Sequence, residues 1–206
     1  MTAMTAQIPK GEIVETADQR VLMNGISWEH YELMLGMRGT RRAPRMAYLD
    51  GVLELMSASE DHERIKDCVA RLVEVYMLEA GMDFGGYGSY TMKQHAELAG
   101  AEADQCYRIG VDQTKGRAPD LAIEVVWTHG GIDKLEIYRR LGVREVWFWE
   151  GRAISVHVLV GAHHEGREGS AVVPGVDLGL LAGYVDEPLT STAIRDYREA
   201  LHHQRS

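Results

Sequence analysis

One carboxylate, Glu124, interrupts the otherwise apolar stretch "LAIEVV" at residues 121–126. In an extended chain Leu121, Ile123 and Val125 share one face, and Ala122, Glu124 and Val126 the other. Both faces are apolar, the pattern of a strand covered on both sides. A carboxylate in such a place is costly unless it is paired or bound to a metal. Glu124 therefore reads as a functional acid rather than a side chain pointing to solvent from a half-buried strand. An enzyme with an acid-x-lysine pattern would carry a cation two positions on, to orient an attacking water and hold developing charge. Here that position is Val126.

Partners for Glu124 must come from elsewhere. Asp120 follows Pro119 on the same stretch, but four residues of extended chain separate its Cα from that of Glu124 by about 13 Å. Ligands of one metal must each come within about 2 to 2.6 Å of it. A neighbouring strand lies only ~4.8 Å away, and "EADQCYRIG" offers Asp104 there. The alternative for Asp104 is a polar residue that merely starts a strand at a loop edge. Both readings stay open on spacing alone.

The elements around these residues are legible from pattern. "SWEHYELMLGM" (27–37) is a short helix with Ser27 as its N-cap. "PRMAYLDGVLELMS" forms two strands about the turn dipeptide Asp50-Gly51, with Glu54 on the face of Val52 and Met56. Residues 58–80 are the strongest helix, with Ile65, Cys68, Val69, Leu72, Val75, Tyr76 and Met77 at helical spacing, Ser57 and Glu60 at capping-box spacing, and Gly81 as the stop. "DFGGYGSYTM" and "ADQCYRIG" are strand-like, separated by a helical or loop stretch at "KQHAELAG". The strand 120–127 follows the loop "VDQTKGRA", and "GIDKLEIYRRLG" is a helix ending at Gly142. "VREVWFWEG" and "AISVHVLV" are strands meeting at Glu150-Gly151; 162–188 is turn-rich with weak strand signals, and 190–203 is a terminal helix. The fold class is mixed α/β, a sheet flanked by helices.

With 206 residues and 45% hydrophobic content, the chain supports one substantial core. Its expected organisation is an N-terminal extension (1–26), one domain (27–190) and a C-terminal helix or tail (191–206). It shows no apolar signal region and no run of about 18 apolar residues, so a cytoplasmic location is expected. Cys68 and Cys106 read as small buried thiols. The formal charge of -9 argues against a surface that grips nucleic acid everywhere. Local basic clusters remain at Arg38, Arg41, Arg42 and Arg45, at Lys115 and Arg117, and at Arg139, Arg140 and Arg144, each most simply a solvated face. The pairs His163-His164 and His202-His203 lack metal-ligand spacing, and the aromatics Trp127, Trp147, Phe148 and Trp149 read as packing in preference to base stacking.

The ordered series "LDGVLELMS", "EDHERI", "EADQCYRI", "PDLAIEVVW" and "DKLEIYRRLGVREVWFW" resembles the Uma-two family of proposed endonucleases, within the PD-(D/E)XK nuclease superfamily, over about residues 27 to 160. The resemblance implies a restriction endonuclease-like core, a mixed sheet flanked by helices. It also implies a divalent magnesium or manganese ion held by an early Glu, Glu54, a strand-initiating Asp, Asp104, and Glu124. The superfamily's proline before that Asp is Ala103 here, which keeps Asp120 as the second candidate. The lysine is carried over to Lys134, in the first turn of the following helix, on a stripe with Tyr138 and Leu141. His62, one turn into the long helix, is a further site-lining candidate; standing alone, such a histidine is more often structural.

The function expected is metal-dependent hydrolysis of DNA phosphodiester bonds, with Glu54, Asp104 and Glu124 on the ion and Lys134 assisting. Homodimer formation is expected by analogy with nucleases that cut two strands. The alternatives are a catalytically silent DNA-binding or protein-interaction module on the same fold, and a hydrolase of small phosphate esters.

Overall fold

The computed structural model describes residues 17–127 and 131–204. Residues 1–16 of the expected N-terminal extension and 205–206 of the expected tail lie outside that range. The elements are β1 (Gln19–Asn24), α1 (Trp28–Arg38), β2 (Arg45–Leu49), β3 (Val52–Ser57), α2 (Glu60–Glu79), β4 (Phe84–Gly86), β5 (Thr91–Gln94), β6 (Ala99–Glu102) and β7 (Gln105–Ile109). They continue with β8 (Leu121–Val125), α3 (Lys134–Arg140), β9 (Glu145–Glu150), β10 (Ala153–Val160), β11 (His163–Arg167), α4 (Leu178–Val185) and α5 (Thr190–Gln204).

Among the described residues the strands form two sheets, in the orders β1-β3-β2-β6-β5 and β11-β10-β9-β8-β7-β4. The protein is mixed α/β. Its pairings are antiparallel except β8 with β9, which run parallel. Parallel neighbours need a crossover, and α3 supplies it.

The β2-β3 hairpin turns at Asp50 and Gly51, with φ of 46° and 87°, as a two-residue turn with both centres left-handed requires. That turn sets the register Ala47 opposite Glu54. On β8 every residue is buried. Leu121, Ile123 and Val125 join Ile65, Val69, Leu72 and Val73 of α2 in one core, closed by Leu181, Tyr197 and Leu201 of α4 and α5. On the other face Ala122 joins Cys106, Val146, Ile137 and Tyr138, together with Ala99 and Ala101 of β6. Each large apolar side chain so buried contributes about 1.5–3 kcal/mol relative to exposure. A third cluster, Trp28, Tyr31, Met46, Tyr48 and Leu53, seats α1 on the first sheet.

Several elements differ from expectation. The cap of α2 is Ser59, not Ser57: the Ser59 oxygen accepts from the His62 N–H, and the helix starts at Glu60. The stretch expected as helix or loop around residue 97 holds a 3-10 turn (His95–Glu97) and then β6. The β6 sequence, Ala-Gly-Ala-Glu, is buried throughout, so it shows neither alternation nor β-branched residues to mark it as a strand. The turn-rich stretch 162–188 contains α4 as well as β11. Within the expected extension, β1 pairs with β3 along its whole length.

Candidate active site

The parallel β8-β9 pair and its crossover gather the chemistry at the C-terminal end of β8, where open α/β sheets commonly bind ligands. Glu124 is the penultimate residue of β8 and 6% exposed. Asp133 caps α3 by accepting from the Glu136 N–H, which fixes Lys134 as the first helical residue. Lys134 Nζ lies 3.3 Å from Glu124 Oε1. One turn further on, the buried Tyr138 hydroxyl donates to the same oxygen. Burial, then the Glu124 charge, pushes the Tyr138 phenol well above its ordinary range, so it remains a donor.

Glu54 arrives from the first sheet. It is 2% exposed, and its Oε2 accepts from the Ile132 backbone N–H at 3.1 Å. Glu54, Glu124 and Lys134 line one cleft of about 270 Å³ together with Arg20, His62 and Phe148. Glu54 and Glu124 each leave their second oxygen without a hydrogen bond among the described residues.

Asp104 immediately precedes β7, and the register Gln105 opposite Ile123 brings it beside Glu124. Its Oδ2 accepts from the Val125 N–H at 2.6 Å. Its Oδ1 lies against Arg45 and 3.0 Å from His62 Nε2. Arg45 and His62 therefore flank that buried oxygen as its charged and polar partners. Asp104 is not among the residues lining the cleft.

His62 bridges two buried acids, with Nδ1 3.0 Å from Asp18 Oδ2 on its other side. Burial alone would raise the Asp18 carboxyl, but hydrogen bonds from His62 and the Ser59 N–H, and the charges of His62 and Arg20, hold it below the usual carboxylate range. Sequence pattern did not mark Asp18, Arg20, Arg45 or Tyr138 as site residues. Tyr138 carries a signal in its position four residues after Lys134, and Arg45 one in its basic cluster.

Asp120 lies at the other end of β8. It accepts from Arg117 Nη2 at 2.7 Å, Arg144 Nη1 at 3.0 Å and the Ile109 N–H at 2.8 Å. Against the cost of burial, these partners hold its carboxyl below the ordinary value. The basic clusters are largely used internally: Arg38 pairs with Glu102, Arg45 with Asp104 and Glu63, Arg139 with Glu136, and Arg140 with Glu136 and Asp50. Trp147 and Trp149 are core residues, while Trp127 is exposed.

Hard carboxylate oxygens suit a magnesium-like ion, which commonly takes one or two carboxylates and keeps several waters. Glu54 and Glu124 fit that demand, whereas Asp104 Oδ1 is already served by Arg45 and His62. Among the described residues, however, no three His, Cys, Asp or Glu side chains stand together as a preformed metal cluster.

The molecule is thus a mixed α/β protein with a carboxylate-lysine cleft at the end of a parallel strand pair. The chain belongs to the Uma2 family, described as "Putative restriction endonuclease", whose profile matches residues 28–178. Among solved structures it is similar to a "putative nuclease belonging to DUF820" from Anabaena variabilis, at 14% identity and a TM-score of 0.49, over 81% of this chain and 98% of that one. Among curated proteins none matches.

Proposed function

We propose that the protein is an endonuclease that hydrolyses DNA phosphodiester bonds with the help of a divalent ion, magnesium or manganese. The observation that carries this reading is the 3.3 Å contact of Lys134 Nζ with Glu124 inside the cleft that Glu54 also lines. It supports the view that the lysine absent at Val126 is supplied by α3.

Glu54 and Glu124 would hold the ion, and Asp104 would join them by exchanging its Oδ1 contacts with Arg45 and His62 for the ion. When bound, such an ion polarises a phosphoryl oxygen and makes a bound water acidic enough to attack near neutral pH. The remaining work belongs to the chain. Tyr138 and Lys134 fix the Glu124 carboxylate by donating to Oε1, leaving Oε2 for other work. Lys134 Nζ is positioned to donate to the attacking water or to the phosphoryl oxygens as negative charge grows. Attack of water on phosphorus forms one P–O bond and breaks one P–O ester bond; the water gives up a proton to solvent, and the leaving alkoxide takes one from solvent as hydroxyl. His62, which lines the cleft, is held between Asp18 and Asp104 and orients the Asp104 carboxylate.

Incubating purified protein with duplex, single-stranded and branched DNA, in magnesium or manganese, tests the reading. Wild type should cut at least one of these, Glu124→Ala should not, and Lys134→Ala should lose about 10²- to 10³-fold in rate. Equal behaviour of wild type and Glu124→Ala in a clean preparation would remove the enzymatic claim. Calorimetric titration with manganese should show binding that weakens in Glu54→Ala and Glu124→Ala.

A further inference from the structure

We propose that Arg45, at the start of β2, competes with the divalent ion for Asp104, and that Glu63 keeps the guanidinium when Asp104 lets it go. The inference rests on the ion site of the nuclease reading and adds to it a residue that sets the ion's affinity.

The parts meet at the start of α2. Arg45 pairs with Met56 across β2 and β3, and Ala47 with Glu54, so Arg45 stands one pleat from Glu54 on the same face. Its side chain is 9% exposed and bridges two acids, with Nη1 on Asp104 Oδ1 and Nη2 on Glu63 Oε1. Glu63 sits in the first turn of α2, next to His62, whose Nε2 meets the same Asp104 oxygen at 3.0 Å. The other Asp104 oxygen accepts from the Val125 N–H. Both Asp104 oxygens are thus engaged, and Asp104 does not line the cleft although β7 brings it beside Glu124.

Binding of an ion to Asp104 must therefore break the Arg45 contact, and the fate of the guanidinium decides how unfavourable that is. A buried cation cut off from its acid is costly. Arg45 keeps Glu63, whose side chain is 47% exposed, and so retains a partner on the solvent side. A trough of about 210 Å³, lined by Arg45, Met56, Glu63 and Lys66, gives the side chain room to withdraw. Burial alone would raise the Glu63 carboxyl, but Lys66 and Arg45 hold it below the usual carboxylate range, so it stays charged to receive the arginine. Arg45 has two arrangements, on both acids or on Glu63 alone, and the ion's apparent affinity is reduced by the fraction of molecules in the second.

The test is calorimetric titration of the full chain with manganese, as wild type, Arg45→Met, Glu63→Gln and the double variant. Arg45→Met should bind manganese on the order of tenfold more tightly, because the competitor is gone, even though Asp104 without its cation lowers the Tm. Glu63→Gln should bind roughly threefold to tenfold more weakly, because Arg45 is left with Asp104 alone. In the Arg45→Met background the Glu63→Gln effect should vanish, a coupling that a general change of surface charge would not produce. Glu63 is exposed on α2, so its variant keeps the test valid if Arg45→Met does not fold: manganese binding equal to wild type or tighter in Glu63→Gln then overturns the inference. If wild type binds manganese and Arg45→Met binds it no more tightly, or Glu63→Gln weakens binding equally in both backgrounds, the inference falls alone. If wild type binds no manganese, the ion-dependent reading falls and takes it along.

Discussion

At the scale of single residues, the informative property of a buried carboxylate is how many donors already serve it. Glu145 is fully buried and accepts from the Trp147 indole, the Ser170 hydroxyl and the N–H groups of Ala171 and Val172. Glu102 takes both arms of Arg38, the Thr91 hydroxyl and the Met46 N–H. Such acids are saturated and serve the fold. Glu124 spends one oxygen on Tyr138 and Lys134, and Glu54 spends one on Ile132, so both retain the capacity that a reaction needs. Tyr138→Phe tests this distinction by removing the neutral donor while keeping the ring. The variant should lose about 1–2 kcal/mol in urea denaturation, the usual worth of a hydrogen bond to a charged group. Its kcat should fall about tenfold with KM nearly unchanged, because Glu124 is left with Lys134 alone; an unchanged kcat would show that Tyr138 serves only packing. Sequence pattern finds Glu124 as an acid inside an apolar strand, yet Glu145 in "REVWFW" has the same appearance. Donor count distinguishes them, and donors such as Ala171 and Val172 come from far along the chain.

At the scale of elements, local pattern determines what local physics determines. The Asp50-Gly51 turn sets its hairpin register, and α3 follows from its apolar stripe, so Glu54, Lys134 and Tyr138 fall on the elements expected for them. Asp104 beside Glu124 was legible as a neighbouring-strand partner, but its contacts with Arg45 and His62 were not, since they depend on how two sheets meet. The small residues of β6 gave no period to read, and α4, "LGLLAGYV", is too apolar and glycine-rich to show a helical face. Gly131 is the clearest case of a demand hidden from the sequence. Its φ is 126°, and a Cβ there would sit 2.3 Å from Glu54 Oε2, while the adjoining Ile132 N–H binds a carboxylate 78 positions away in the chain. Gly131→Ala should therefore push Glu54 off its backbone donor and cut cleavage by tenfold or more. The accompanying loss of stability should be about 1–3 kcal/mol, from backbone strain at positive φ. Manganese titration should weaken in step; full activity with normal metal affinity would mean that Glu54 needs no such close approach.

At the scale of the whole molecule, an acidic chain of net charge -9 spends many of its arginines on internal carboxylates, and this sets its response to acid. Asp120, paired with Arg117 and Arg144, and Glu102, paired with Arg38, both sit below their ordinary values despite burial. Glu136, between Arg139 and Arg140, is drawn down to about 2. A carboxylate depressed in the fold gives stability that is complete above its unfolded pKa and is lost as pH falls toward the folded one. His157 and His164 act in the same direction for the opposite reason: burial lowers them from 6.5, so the unfolded chain takes up their protons first. Falling pH also relieves the negative self-repulsion, but that repulsion is diffuse and screened beyond about 8 Å at physiological salt, whereas the paired acids are in direct contact. The specific pairs should win. Tm should decline gently as pH drops below about 6.5, through the histidines, and steeply below about 4.5, through the acids. Asp120→Asn should be less stable than wild type at pH 7 by on the order of 2 kcal/mol and should show a shallower acid limb. His164→Gln should flatten only the gentle limb. A scanning calorimetry series from pH 7 to 3.5 reads both limbs, and a Tm that rises on acidification would mean that general repulsion, not the paired acids, governs the fold's response to pH.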